Sequence, residues 1–181
     1  MVNSTKFLGL TLGKALSWRP HIDTTAPKLS SASFALRLVK PLLSLESLRM
    51  IYFSYFHSLL TYGIIFWGNS HHSNTIFRLQ KRVIRIITGI RNRDSCREHF
   101  RTLKILPLQS QYILSLLLFV IDNKDRFRRN SEIHHINTRY HSRFYPCLSG
   151  HDNFKAVPGL VVWKFEHSVW HCFYKVYCLF C

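Results

Sequence analysis

Residues 44–89 are the most informative stretch of this sequence, and they read SLESLRMIYFSYFHSLLTYGIIFWGNSHHSNTIFRLQKRVIRIITG. Two helical patterns flank an aromatic elbow at residues 58–70. Ser44 is a suitable N-cap for the first helix, and Glu46 places a negative charge in its first turn, where the helix dipole favours one. The second helix is predicted to begin at Ser73 and to end at Gly89, which can adopt the left-handed conformation just past a helix end.

The first of these helices is apolar on almost every side. Its main stripe recurs at steps of three and four residues and consists of Leu45, Leu48, Tyr52, Tyr55 and Leu59. Other apolar residues cover most of the remaining surface. The pattern therefore predicts a helix that is buried nearly all round.

The second helix is predicted to be amphipathic and basic. Its core stripe is Ile76, Leu79, Val83 and Ile86. A row of cations occupies another face and continues past the helix end: Arg78, Lys81, Arg82, Arg85, Arg91 and Arg93. Clustering like charges on a helix costs a few tenths of a kcal/mol per pair. A polyanion along the row would make the cluster favourable by releasing counterions, whereas a solvated charged face is the alternative interpretation.

The composition favours an anionic partner. The chain has 181 residues, with 25 Lys and Arg against 9 Asp and Glu, and a formal net charge of +16. Such an excess is typical of proteins that bind nucleic acid or an anionic membrane. The residues after Met1 lack the pattern of a signal peptide, so an intracellular location is expected, nuclear or cytoplasmic being left open. Five cysteines, an odd number, do not form the framework of a secreted disulfide domain.

A membrane span is an alternative for residues 50–70, which contain no Lys, Arg, Asp or Glu. The stretch has the required length of about 20 residues. It also contains serines, a threonine, a histidine and an asparagine, which are unfavourable in a bilayer core. A buried helix and elbow fit this composition better, and no membrane span is expected.

Two weaker patterns precede the central stretch. Residues 6–12, KFLGLTL, are predicted to form one arm of a β-hairpin, for which the sequence offers no evident partner strand. Residues 25–40 are predicted to form a helix with Pro27 in its first turn. Its inward-facing residues are expected to be Leu29, Phe34, Leu36 and Val39.

Two further helices are predicted after the central stretch. Asp94 can cap a short helix that runs to Leu103, and Pro107 opens an apolar helix that ends near Ile121. From Asp122 the sequence becomes polar and basic without periodicity, which favours a surface loop or disorder.

Four segments in this order resemble the C-terminal part of the reverse transcriptase of non-LTR retrotransposons of the jockey-like LINE class. They are KFLGLTLGKALSWRPHI (6–22), SLLTYGIIFWGNS (58–70), LQKRVIRIITG (79–89) and RNRDSCREHFRTLKILPLQSQYI (91–113). The resemblance extends from Lys6 to about Arg139, and the tail beyond about His141 does not share it.

This resemblance implies a mainly α, bundle-like thumb fragment with a short N-terminal β segment and a poorly ordered tail. Residues 1–19 would be the end of a palm-like hairpin, residues 20–122 a helical thumb-like region, and residues 123–181 a loop and divergent tail. A primer-grip role would fall on Phe7, Leu8 and Gly9. The implied partner is RNA or DNA, as primer and template or as element RNA, with a palm domain on another chain as a further candidate.

The sequence departs from that family at its catalytic signature. The family has a pair of adjacent aspartates upstream of the FLG segment, whereas no two aspartates are adjacent here; they are Asp23, Asp94, Asp122, Asp125 and Asp152. A two-metal site for nucleotidyl transfer needs such paired carboxylates, so this chain alone is not expected to be a polymerase. Gly13 and Pro27 also stand where the family usually has an acidic residue and a residue other than proline.

Other catalytic and metal sites are weakly supported, and no cofactor is expected. The tail carries His167, His171, Cys172, Cys178 and Cys181, but the bulky residues between the cysteines do not suit a compact zinc knuckle. The pairs His71–His72 and His134–His135 are interpreted as surface residues. Neither a GxSxG elbow nor a Gly-rich phosphate loop occurs. A protein-interaction module, a small membrane-associated protein and a remnant without a retained role stay open as alternatives.

Overall fold

A computed structural model describes residues 4–14 and 17–124 of the chain. The chain divides into two compact units, residues 1–112 and 113–181, and the described part of the second unit ends at residue 124. The described residues are mainly helical, with a short two-stranded sheet at the N-terminal end. This confirms the predicted fold class. The predicted loop and tail lie outside the described residues, apart from Asn123 and Lys124.

Two short strands form an antiparallel hairpin, with β1 at Ser4–Phe7 and β2 at Leu10–Gly13. Leu8 and Gly9 connect them, and both have positive φ angles, 44° and 78°. Two successive positive φ angles are what a tight two-residue hairpin turn requires. The prediction of a lone arm was therefore wrong, because residues 6–12 contain the turn together with parts of both strands.

Helix α1 spans Arg19–Val39, and its first turn contains Pro20. The sequence prediction placed its start six residues too late and put Pro27 in the first turn, whereas Pro27 lies inside the helix. Leu29 and Leu36 are fully buried as predicted. Phe34 is 60% exposed, so its inward assignment was wrong, and Val39 is half-buried, so its inward assignment was only partly right.

The apolar helix predicted after Ser44 is built from three consecutive pieces. These pieces are α2 at Leu45–Ile51, a π-helical segment at Tyr52–His57 and α3 at Ser58–Thr61. A 3₁₀ turn at Lys40–Leu42 precedes them. The Ser44 hydroxyl accepts a hydrogen bond from the Ser47 amide at 3.2 Å, which confirms the N-cap.

The buried stripe of these pieces is Leu48, Tyr52, Phe56 and Leu60. Of the predicted stripe, Leu45 and Tyr55 are exposed and Leu59 is half-buried. The wider π-helical turn shifts the residues after Tyr52 relative to an ideal α-helix, and the stripe moves with them. The prediction of burial all round was also wrong, since Met50 is 66% exposed.

The elbow turns at Gly63, whose φ is 60°, and continues into α4 at Ile64–Trp67. Helix α5 then spans Ser73–Thr88 and ends at Gly89 with φ 78°, as predicted. Helix α5 packs against α1. Small residues on α1, Ala32 and Ser33, are buried and permit close approach of a neighbouring helix.

Two helices complete the described chain, α6 at Arg97–Thr102 and α7 at Leu108–Asp122. Asp94 does not cap α6; its carboxylate accepts a hydrogen bond from the Arg91 amide at 3.1 Å and closes the preceding turn. The predicted bounds of α7 agree with the structure. Within the described part of the chain, no helix has both the length and the apolarity needed to cross a bilayer.

Candidate nucleic-acid interface

The face of α5 that carries the cations lies opposite its buried face. The buried residues of α5 are Ser73, Ile76, Gln80, Val83, Ile84 and Ile87. At 3.6 residues per turn they fall within an arc of roughly 100°. The cations within α5 fall within another arc of about 100° on the far side of the helix, and they are Arg78, Lys81, Arg82 and Arg85. The predicted core stripe was therefore only partly right, because Leu79 and Ile86 are half-buried. The predicted row of cations does share one face.

The members of this basic face differ in their surroundings. Arg78 and Arg82 are exposed, and neither forms an ion pair or a hydrogen bond with another described residue. The Lys81 ammonium lies 4.8 Å from the centre of the Phe77 ring, in a cation–π contact. These three cations lie within two turns of the helix, and Arg78 and Arg82 are free to contact a ligand.

Arg85 differs from the other cations because it stabilises the turn after α5. Its guanidinium donates a hydrogen bond to the Asp94 carbonyl at 3.1 Å, and its Nε is buried without a partner among the described residues. Arg91 and Arg93 lie exposed in this turn. Arg91 and Arg93, which were predicted to extend the row of cations, thus lie in a short loop that hydrogen bonds of Arg85 and Asp94 stabilise.

Residues 47–93 contain neither Asp nor Glu, so the cations of α5 have no carboxylate within their own helix, and Asp94 follows directly after Arg93. The ion pairs within the described residues join Arg19 to Asp23 and Arg101 to Glu98, both at 3.8 Å. Within the described residues, no cation of α5 therefore forms an ion pair.

Gln80 is the polar exception on the buried face of α5, and it was missed at the sequence level. Its amide nitrogen donates to the Tyr52 hydroxyl at 3.0 Å and to the Leu106 carbonyl at 2.9 Å. Its carbonyl oxygen accepts from the Leu108 amide at 2.9 Å. Burial raises the pKa of Tyr52 well above its usual range, although the hydrogen bond from Gln80 opposes this shift. Gln80 lies four residues from both Ile76 and Ile84, and this helical spacing was the sequence signal for its burial.

The FLG residues form the tip of the hairpin. Phe7 and Leu8 are 70% and 74% exposed, and Leu8 adopts a positive φ that is uncommon for a residue with a side chain. The Tyr62 hydroxyl donates a hydrogen bond to the Leu8 carbonyl, which ties this tip to the elbow. The described contact of the FLG tip is thus with the elbow and not with the basic face of α5.

The elbow and the hairpin also meet at two glycines. A Cβ atom added to Gly63 would lie 2.7 Å from the Leu10 side chain, and one added to Gly9 would lie 3.1 Å from the Tyr62 hydroxyl. At this distance the Leu10 side chain would have to move to admit a Cβ atom at Gly63. These two glycines therefore allow the elbow and the hairpin, which are far apart in the sequence, to pack closely against each other.

A cleft lies between the hairpin, α1 and α3, with a volume of about 520 Å³. Its lining includes Lys6, His21 and Lys28. No sequence motif indicated this cleft, because its residues come from three distant segments. Among the described residues, no group of three His, Cys, Asp or Glu side chains is placed to hold a metal ion; the cysteines and histidines of the tail lie outside them.

Comparison of the chain with protein-family models, with curated proteins and with solved structures finds no match.

Proposed function

We propose that this chain is a non-catalytic, thumb-like fragment of a non-LTR retrotransposon reverse transcriptase that binds RNA or DNA through the basic face of α5. The observation that carries the proposal is the exposed pair Arg78 and Arg82, which lie opposite the buried stripe and lack carboxylate partners among the described residues. The resemblance of the four segments supplies the polymerase context. The two arguments are independent, since one rests on charge and exposure and the other on sequence motifs.

The spacing of the cations suits a phosphate backbone. Arg78 and Arg85 lie about 10 Å apart along the helix axis, and duplex DNA carries one negative charge per roughly 1.7 Å of its axis. Several phosphates can therefore lie beside the row at once. Contacts of this type position a nucleic acid without reading its sequence. Arg91 and Arg93 would extend the contact beyond the helix end.

The test is fluorescence anisotropy of a labelled primer–template duplex, titrated with the full chain at several salt concentrations. Replacing Arg78 and Arg82 by Gln should weaken binding and reduce the slope of log K against log salt by roughly 1.8, since each lost phosphate contact removes about 0.9. Arg85 is left intact in this variant because it stabilises the turn at Asp94.

The matched control is Arg19→Gln with Arg37→Gln, which removes the same charge from exposed positions of α1. The control should leave the salt slope close to that of the parent protein. Equal slopes for both double variants would contradict a specific role for α5 and favour binding by net charge alone.

The absence of catalysis is a separate part of the proposal and rests on the lack of adjacent aspartates in the sequence. A primer-extension assay with Mg²⁺ and all four deoxynucleotides should give no templated product. Any templated nucleotide addition by the purified chain would contradict this assignment.

A protein-interaction role is a second candidate, favoured by exposed apolar side chains in residues 50–67. Met50, Tyr55, Tyr62 and Phe66 are between 46% and 66% exposed. Such a face could dock a palm domain on another chain. Analytical ultracentrifugation of the isolated chain distinguishes the candidates, since a soluble monomer argues against an obligate docking face.

A further inference from the structure

The cleft between the hairpin, α1 and α3 carries positive charge without a lining carboxylate. Lys6 enters it from β1 and Lys28 from α1, and both are exposed. The hydroxyl-bearing residues Thr11 and Thr25 also line it. Two ammonium groups and hydroxyl donors around one open cleft provide the groups that proteins use to bind phosphate.

His21 supplies the independent observation. It lines the cleft, is only 5% exposed, and its Nδ1 is buried without a hydrogen-bond partner among the described residues. Its ring lies 6.4 Å from the Trp18 ring and 6.0 Å from the Trp67 ring. A buried polar atom without a partner is costly, and a bound ion, a water molecule or a role in proton transfer is among the reasons why proteins retain one.

We infer that this cleft binds a phosphate group, with Lys6 and Lys28 as cationic contacts and His21 as a proton-accepting group in its lining. The volume of about 520 Å³ is of the size that small-molecule sites have, so a nucleotide can be accommodated. The phosphate can belong to a free nucleotide or to the backbone of a nucleic acid. The inference uses none of the cations of α5 and does not depend on the proposed function.

The charge balance of the cleft predicts proton uptake on binding. Burial, followed by repulsion from Lys28, lowers the pKa of His21 below its usual value of 6.5. A bound dianion would favour the imidazolium and raise this pKa. The charged groups that line the cleft with His21 are Lys6 and Lys28, and both are cationic, so they attract the anion but oppose protonation of the ring.

The direct test is calorimetric titration of the full chain with sulfate and, separately, with adenosine monophosphate. Sulfate keeps its double charge across the pH range used, so any pH dependence belongs to the protein. Both probes should bind saturably, and sulfate should bind more tightly at about pH 6 than at about pH 8. Lys28→Gln should weaken each affinity by about tenfold, because it removes one charge-assisted contact.

Arg37→Gln is the matched control, since it removes an exposed cation from the same helix but away from the cleft lining. Lys6→Gln serves as a second variant on the hairpin, in case substitution in α1 disturbs folding. An NMR pH titration of the His21 ring protons, assigned with His21→Gln, should show a higher pKa when sulfate is present.

The source of the phosphate is decided by a third arm, anisotropy with a labelled oligonucleotide. Weakening by Lys28→Gln in this arm alone would assign the cleft to a backbone phosphate, and weakening of the small anions would assign it to a free nucleotide. Equal behaviour of Lys28→Gln and Arg37→Gln with all three probes would overturn the inference. If the salt slope of the variant with Arg78 and Arg82 replaced by Gln equals that of the parent, the result counts against the proposed function and does not bear on phosphate binding in the cleft.

Discussion

Gly63 lies where the chain turns from α3 into α4, at a φ of 60°. Any other residue in this left-handed conformation costs about 1–2 kcal/mol. An added Cβ would also lie 2.7 Å from the Leu10 side chain. A single hydrogen atom at this position therefore lets the hairpin and the elbow meet.

Gly63→Ala should lower the free energy of unfolding by roughly 2–3 kcal/mol, as measured by urea denaturation. Gly89→Ala is the matched control, because its φ is 78° but its added Cβ would meet only the flexible end of Lys40 at 3.1 Å. This control should cost about 1 kcal/mol, from backbone strain alone. Equal losses in the two variants would show that the contact with Leu10 is unimportant.

Gln80 connects α5 to the π-helical segment and to the connection between α6 and α7. Gln80→Leu keeps a side chain of similar size but leaves the Tyr52 hydroxyl, the Leu106 carbonyl and the Leu108 amide without their partner. Because unpaired buried polar groups cost about 1–3 kcal/mol each, we expect a loss of roughly 2–4 kcal/mol in chemical denaturation.

Tyr52→Phe tests the same network from its other end. It removes one hydroxyl, and the Gln80 amide nitrogen retains its bond to Leu106, so the expected loss is about 1 kcal/mol. A larger loss for Tyr52→Phe than for Gln80→Leu would contradict the central position assigned to Gln80.

At the scale of an element, α1 is unusual because it continues through Pro27. Proline has no amide hydrogen, so the Asp23 carbonyl lacks its normal partner four residues later. Pro27 is exposed, and a solvent-facing carbonyl can be hydrated, which lets the helix persist at a cost.

Pro27→Ala should therefore stabilise the protein, by about 1–3 kcal/mol in thermal or urea denaturation. Pro20→Ala should give no stabilisation, because Pro20 lies in the first turn, where helices tolerate proline. A destabilised Pro27→Ala variant would mean that α1 needs the local distortion which proline introduces.

For the whole molecule, the buried His21 and the half-buried His57 predict how stability depends on pH. Burial lowers the pKa of His57, and burial with repulsion from Lys28 lowers the pKa of His21, each from a usual value of 6.5. Below pH 6.5 the unfolded chain binds protons at these rings before the folded chain does. The free energy of unfolding should therefore fall as the pH decreases through 6.5 towards the folded pKa values.

This pH dependence is measured as urea midpoints at about pH 7.5, 6.5 and 5.5 in a constant-salt buffer. The double variant His21→Gln with His57→Gln should lose less stability on acidification than the parent, and the single variants divide the effect between the two sites. An unchanged loss in the double variant would assign the dependence to other groups.

Local sequence signals were enough to predict where several helices begin or end. Ser44 predicted a helix start and Gly89 a helix end, because capping depends on groups within one turn. The shared face of Arg78, Lys81 and Arg82 also followed from spacing, since helical geometry fixes it. The mainly α fold class was likewise predictable from apolar periodicity.

Long-range packing was needed for everything that joins distant segments. Periodicity could not show that the π-helical segment at Tyr52–His57 shifts the buried stripe, or that Gln80 is buried with three partners, because both depend on the elements packed around them. The cleft gathers Lys6, His21 and Lys28 only when the hairpin meets the elbow at Gly63. Hydrogen bonding and steric fit between segments far apart in the sequence therefore determine where these polar groups lie. Residue spacing within one segment cannot predict such contacts.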